Sequence, residues 1–259
     1  MITSRRRIIA ASVASGLAAL SGAKMAAGSA QGQSGAKKRV LAVLGDAYHA
    51  PAYLDAALVG RLRKTGWQAV TIIDYDVPWN DFARYDLVIL SREGREYPKF
   101  YRERDADPPN KGAARWLTPA QEDKFEEYVQ NGGRLFLYHD GFGAYPKGQG
   151  VSRVARAYFI RHPAIVPIQV KPTGKLPELT QGVTPFEVAD EEYEVEMDEN
   201  QTSVFLESTS PEHGRHAQGW AHSYGKGKVA VLIPGHSVAT INHPMIQRCI
   251  QNCLDWLTR

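Results

Sequence analysis

Three histidines stand just past the ends of apolar runs: His49 after Arg39–Leu44, His139 after Arg134–Tyr138 and His236 after the run from Val229 to Ile233. Imidazole is the side chain that changes charge near neutral pH, so a histidine at a strand end can hold a metal or pass a proton. A carboxylate accompanies them. Phe186 and Val188 alternate out of phase with Tyr193, Val195 and Met197, so a bulge or turn must fall at Ala189-Asp190-Glu191-Glu192 and re-aim Glu191. Two chemistries fit this set. A metal site needs neutral imidazoles and carboxylates converging from separate elements, with His49, His139 and His236 as ligands. A metal-free acid–base site needs a carboxylate and a histidine with pKa values pushed apart, with Glu191, His139 and His49 as the catalytic groups. No His-x-x-x-His pair occurs, so either site depends on tertiary convergence.

Other mechanisms are excluded. The only cysteines, Cys249 and Cys253, share a helical apolar stripe with Ile246, Ile250, Leu254 and Leu257, where a thiol fills core rather than attacks substrate. Serine chemistry on a strand-to-helix elbow needs G-x-S-x-G, which is absent.

The elements that must carry these residues alternate between strand and helix. Arg39 to Leu44 is a continuous apolar run, as expected of a strand covered on both faces, and Gln68 to Asp74, Asp86 to Ser91 and the apolar Arg134 to Tyr138 give further strands. Between them, Leu54, Leu58 and Leu62 mark one amphipathic helix closed by Gly66. Thr118-Pro119-Ala120-Gln121 opens another with an N-cap, a first-turn proline and a capping-box partner. A terminal helix is expected from about Pro244 to Leu257. The fold class is α/β, three-layered, with a parallel sheet of mixed edge and helices on both faces, in the flavodoxin or class I glutamine amidotransferase manner. Ile165 to Val170 is expected as an edge strand or an extension of the sheet, because Pro167 cannot donate to a ladder. The region from His213 to His216 reads as a polar loop, and Trp220 to Tyr224 with Val229 to Ile233 as a hairpin. Arg92 to Arg115 has no sustained period and reads as a lid over the strand ends, with Tyr97, Phe100 and Tyr101 inside it.

The 259 residues suffice for one large domain, and 43% apolar content is ordinary for a globular protein. Much of the formal charge of +3 comes from Arg5, Arg6, Arg7, Lys37, Lys38 and Arg39, so net charge makes no case for a nucleic-acid partner. Residues 1–30, with Ser4-Arg5-Arg6-Arg7-Ile8-Ile9 before a short Ala/Ser/Gly-rich apolar run, read as a twin-arginine-like export signal, too short for a membrane span. Residues 31–38 are a linker. The mature domain is expected at 39–259, periplasmic or secreted, without a stable membrane anchor.

The ordered series GDAYH, WLTPAQEDKFEEYVQNGG with RLFLYHDG, FIRHP, TQGVTPFEVADEEY, YGKGKV, PGH and NCLDWL resembles the trehalose-utilisation (ThuA-like) family over essentially all of residues 39–259. That resemblance implies a class I glutamine amidotransferase-like fold with histidine in place of the amidotransferase cysteine. It points to His49, His139, Glu191 and His236, and further to His162 and Trp220. It implies a small-molecule carbohydrate partner, especially keto derivatives of disaccharides or glycosides. Where the family carries Asp-His-Pro, this chain has Leu176-Pro177-Glu178, so its substrate is expected to differ. The expectation is therefore an exported enzyme moving a proton beside a sugar carbonyl, either with a divalent Zn, Mn or Fe or metal-free, and with no nucleotide cofactor. The alternative is a non-catalytic carbohydrate-binding or accessory protein. Substrate contacts are expected from Tyr48, Arg92, Glu93, His162 and Trp220.

Overall fold

Nine strands form one sheet in the order β2-β1-β3-β4-β11-β10-β9-β6-β7. In chain order the strands are β1 Arg39–Leu44, β2 Gln68–Ile72, β3 Leu87–Ser91, β4 Arg134–Tyr138, β5 Ala157–Arg161, β6 Val166–Pro172, β7 Phe186–Asp190, β8 Glu194–Met197, β9 Ser203–Ser210, β10 Gly214–Tyr224 and β11 Gly227–Leu232. The helices are α1 Pro51–Leu54, α2 Gly60–Lys64, α3 Pro119–Gln130, α4 Gly150–Ala155, α5 Val238–Ile241 and α6 Pro244–Thr258; a π-helical turn, Asp55–Val59, joins the first two. This computed structural model describes residues 37–96 and 114–259. The leader, nearly all of the linker and most of the expected lid, Tyr97 and Tyr101 included, lie outside the described residues. Residues 37–259 fall in one compact unit, and no described helix is long and apolar enough to cross a membrane.

Five strands, β2-β1-β3-β4-β11, run parallel. Their side chains alternate between two cores because successive strand residues face opposite sides. Val40, Ala42 and Leu44 pack with Leu54, Leu58 and Leu62 and with Ile246, Cys249, Ile250 and Cys253 of α6. Leu41 and Val43 face Phe82, Phe125 and Val129, with Val151 and Val154 of α4. The capping box of α3 forms as expected: Thr118 Oγ1 accepts from the Gln121 amide at 3.3 Å, and Gln121 Oε1 accepts from the Thr118 amide at 2.8 Å.

The remaining four strands are antiparallel, so the mixed edge is nearly half the sheet. Of the two places expected for Ile165 to Val170, β6 takes the second: it lies between β9 and β7 and extends the sheet rather than ending it. Pro167 is tolerated because it pairs with Ala189 of β7, whereas pairing with β9 begins only at Gln169. One expectation is corrected here: His213 to His216 is not a loop, because β10 begins at Gly214 and His216 opposes Ser208; the exposed polar alternation of an outlying strand end mimics a loop.

Four strand spacings separate β7 from β11, about 19 Å in a flat sheet. Asp190 at the end of β7 nevertheless accepts the Gly235 amide, just past β11, at 2.7 Å. The antiparallel half therefore curls. Its cause is in β10, where the register with β9 shifts between Ala217 and Trp220, and bulges there bend the strand. This curl brings the acidic segment after β7 over the carboxyl ends of the parallel strands.

Candidate active site

At the end of β4 the chain turns abruptly into a 3-10 turn, His139–Phe142. His139 adopts a φ of 49°, a left-handed conformation that costs a non-glycine residue energy and tends to persist where function requires it. Two residues on, a Cβ at Gly141 would sit 2.0 Å from the Leu90 carbonyl oxygen, so only glycine lets the elbow press against β3. The elbow buries the His139 ring completely and lets Nδ1 donate to the Ile233 carbonyl at 2.7 Å. That fixes the tautomer and leaves Nε2 as a bare lone pair.

His49 is oriented by the same logic from the loop after β1. Asp46 accepts the Tyr48 and His49 amides, at 2.9 and 3.0 Å, and the His49 Nδ1 proton at 2.9 Å. Asp140 Oδ2 lies 3.1 Å from the same Nδ1. His49 Nε2 is thereby aimed away from the carboxylates, 3.1 Å from His139 Nε2 and 3.2 Å from His236 Nδ1. His236 arrives on the loop after β11, where Asp190 accepts the Gly235 amide and, at 3.4 Å, the His236 amide. The three ligand nitrogens lie within 4.8 Å of one another.

Glu191 closes the set. Its Oε1 is 3.1 Å from His236 Nδ1 and 3.4 Å from His162 Nδ1, and its Oε2 is 3.6 Å from His139 Nε2. Tyr193 donates to Asp140, lies 3.5 Å from His139 Nε2 and stacks on the His162 ring at 5.5 Å. His49, His139 and Glu191 are buried, whereas His236 is 26% and His162 39% exposed, so the cluster opens to solvent on their side.

Charge is unevenly distributed across these rings. Burial works against a charged His49, but Asp140 and Asp46 outweigh it and push its pKa up to about 11. Burial and the neighbouring His49 hold His139 below the ordinary histidine range. Burial alone would raise Glu191, yet the hydrogen bond with His236 and the surrounding imidazoles keep its carboxylate low and ionised. Two nitrogens facing at 3.1 Å, each oriented so that its lone pair points inward, need a cation between them: a shared proton or a metal ion.

Not all expected contacts are here. Trp220 is a correction: strand alternation turns it inward, it is fully buried against Phe142, and its indole donates to the Ala155 carbonyl at 2.9 Å. Arg92 is spent on backbone, donating to the Gly45, Leu44 and Asp74 carbonyls while sandwiched between Tyr75 and Trp116. Glu93 is buried beside Arg95, and burial pushes its pKa up to about 8. Tyr48, 46% exposed, lies beside the cluster, its ring edge-on to His49 with centroids 6.4 Å apart and near Arg95. His162 does reach it. Asp46, Asp140, Asp190 and Tyr193 were not anticipated as site residues; the signal was the two aspartates beside strand-end histidines in GDAYH and HDG.

The family model of ThuA, described as trehalose utilisation, matches residues 39–257. The chain belongs to the ThuA family. Known structures agree on the fold. A ThuA-like protein of Parabacteroides merdae superposes with a TM-score of 0.65 at 17% identity, over 86% of this chain and 90% of that one. A cytoplasmic protein of Salmonella typhimurium LT2 gives 0.61 at 14% identity, over 85% and 100%. A β-galactosidase from Rahnella sp. R3 gives 0.55 at 12% identity, over 85% of this chain but 31% of that enzyme. No curated protein matches the sequence. The ThuA description points to a carbohydrate-related role, and at these identities the structural likenesses speak for the fold alone.

Proposed function

We propose that this ThuA-family protein is an exported enzyme of carbohydrate metabolism that moves a proton next to the carbonyl of a sugar or keto-sugar, with a divalent metal at His49, His139 and His236. The observation that carries this reading is the convergence of three imidazole nitrogens, two of them turned inward by acceptors that hold the proton on the other nitrogen of the ring. Carboxylate or carbonyl partners on the far ring nitrogen are the usual support of metal-binding histidines, and the donor set of nitrogens with a nearby carboxylate suits Zn, Mn or Fe. When bound, such an ion supplies Lewis-acid polarisation of a carbonyl oxygen.

The chain's own groups account for the rest. Glu191 is ionised, buried and adjacent to the open side, so its carboxylate can take the proton from the carbon beside the carbonyl, the C–H electron pair moving into the C–C bond and the C=O π pair onto the carbonyl oxygen. His162, half exposed and held against Glu191 and the Tyr193 ring, is placed to return a proton to substrate oxygen or carbon. Asp140 and Asp46 keep His49 in one orientation, and Asp190 keeps the Glu191 loop in register with His236. Export rests on the paired arginines of the leader.

Hydrogen–deuterium exchange at the carbon beside the carbonyl of keto-glycosides, followed by NMR in D2O, tests the reading. Wild type should catalyse exchange, and Glu191→Gln should slow it about 10²- to 10⁴-fold while still binding sugar. Sugar binding with no exchange by wild type would favour the non-catalytic alternative.

A further inference from the structure

A second cavity adjoins the cluster on the side of His162. Phe159, whose ring lies 5.9 Å from that of His162 and 4.8 Å from that of Tyr193, forms part of its wall. The cavity measures about 250 Å³, which suits a single ring, and is also lined by Arg95, Arg115, Tyr145, Tyr158 and Ile160. Arg95 and Arg115 pair across an antiparallel bridge, which brings both to this cavity. Arg95 also lies over the Tyr48 ring, itself edge-on to His49, so the cavity meets the cluster from two sides. No carboxylate lines it among the described residues. The acids stand behind the arginines: Glu122, fully buried, accepts from Arg115 Nη2, and buried Glu93 accepts from Arg95 Nε at 2.6 Å.

Arginines lining a cavity that no described carboxylate lines make a site for an anion. One carboxylate does not exhaust a guanidinium. Arg115 gives Glu122 one of its N–H groups and makes no other side-chain hydrogen bond with a described residue, whereas Arg153 of this same chain donates to Asp123 and Glu126 together. The planar fork that remains on Arg115 matches a carboxylate, and the rings of Tyr158 and Phe159 match a ring that carries one. The histidine cluster already holds the carboxylates of Asp46, Asp140 and Glu191, so an anionic group of the substrate belongs among the arginines. We propose that the sugar substrate carries a carboxylate on the unit attached to its reacting ring, and that Arg115, with Arg95, binds that carboxylate in this cavity. The inference rests on the reading that a keto-sugar reacts at the histidines, and adds the charge and position of the neighbouring unit. Arg115 then sets specificity and takes no part in the proton transfer.

Calorimetry on the purified protein tests this with matched ligands that differ only in the charge. One pair is the 4-carboxyphenyl and 4-carbamoylphenyl glycosides of the same keto-hexose; the other is a keto-disaccharide whose second unit is glucuronic acid or glucose. The first pair puts the carboxylate on an aromatic ring and the second on a sugar, so the pair that responds names the ring the cavity takes. In at least one pair wild type should bind the carboxylate about 10- to 100-fold more tightly than its neutral partner. Arg115→Gln should erase that preference and keep the affinity for the neutral partner. Arg115→Lys, which keeps a cation against Glu122 and so protects the fold, should reduce it by losing the fork. Equal binding of charged and neutral partners by wild type would overturn the proposal and leave the keto-sugar reading standing. Binding of none of these ligands would overturn both. A preference undiminished in either folded Arg115 variant would seat the carboxylate elsewhere and overturn the proposal alone.

Discussion

A left-handed φ at a histidine is held in place by its surroundings rather than by its own preference. At His139 those surroundings are the Ile233 carbonyl in front of Nδ1 and the glycine two residues on that fits against Leu90. His139→Asn, a residue that tolerates this conformation, should therefore fold like wild type, whereas His139→Val should lose about 1–3 kcal/mol from backbone strain. Chemical denaturation of the two variants measures the difference, and both should lose activity. Equal stability would mean that the elbow relaxes without cost. The histidines and Glu191 were legible as residue types at strand ends, because a run of apolar residues that stops at His-Asp-Gly or Pro-Gly-His is a local pattern. Asp190 was not, since its role comes from amides of a loop 45 residues away, and Trp220 was misplaced because an aromatic in a strand gives no sign of which core it fills.

At the scale of elements, β10 is tied to α4 by His222. Its Nε2 donates to the Val154 carbonyl at 3.0 Å, and Nδ1 accepts from Thr202 at 2.8 Å. Burial pushes its pKa down to about 4. In the unfolded chain the ring titrates near its ordinary value of about 6.5, so as pH falls from there toward about 4 the unfolded state takes up a proton that the fold refuses. Stability should fall over that window by about 2–3 kcal/mol through this residue, and His222→Gln should flatten the pH dependence. Denaturation at pH 7 and pH 4.5 for both proteins checks it; parallel slopes would rule His222 out. On α6 the two thiols lie in the core with Ile246 and Ile250, and burial pushes Cys249 up to about 12. Cys249→Ala with Cys253→Ala should cost about 1–3 kcal/mol through cavities and leave activity intact. An inactive, well-folded double variant would contradict that. The helices and parallel strands were readable from period and caps, as Thr118 and Leu54 to Leu62 illustrate. The antiparallel half was harder, because Pro167 and the His213 to His216 segment carry loop-like signals inside real strands.

For the molecule as a whole, sequence order fixes which residues end which strands, but the curl of β10 decides that Glu191 meets His236 rather than lying four strands away. No local pattern encodes that closure, which is why convergence could be expected only as a possibility of the fold. The claim that rests on it is a three-histidine metal centre, and metal content of the purified protein tests it most directly. Wild type should carry about one equivalent of zinc, manganese or iron per chain. His49→Ala, His139→Ala and His236→Ala should each lose it with their thermal transitions retained, while His213→Ala keeps it. Wild type that stays free of metal after incubation with all three ions, or His236→Ala that binds as much as wild type, would contradict the account.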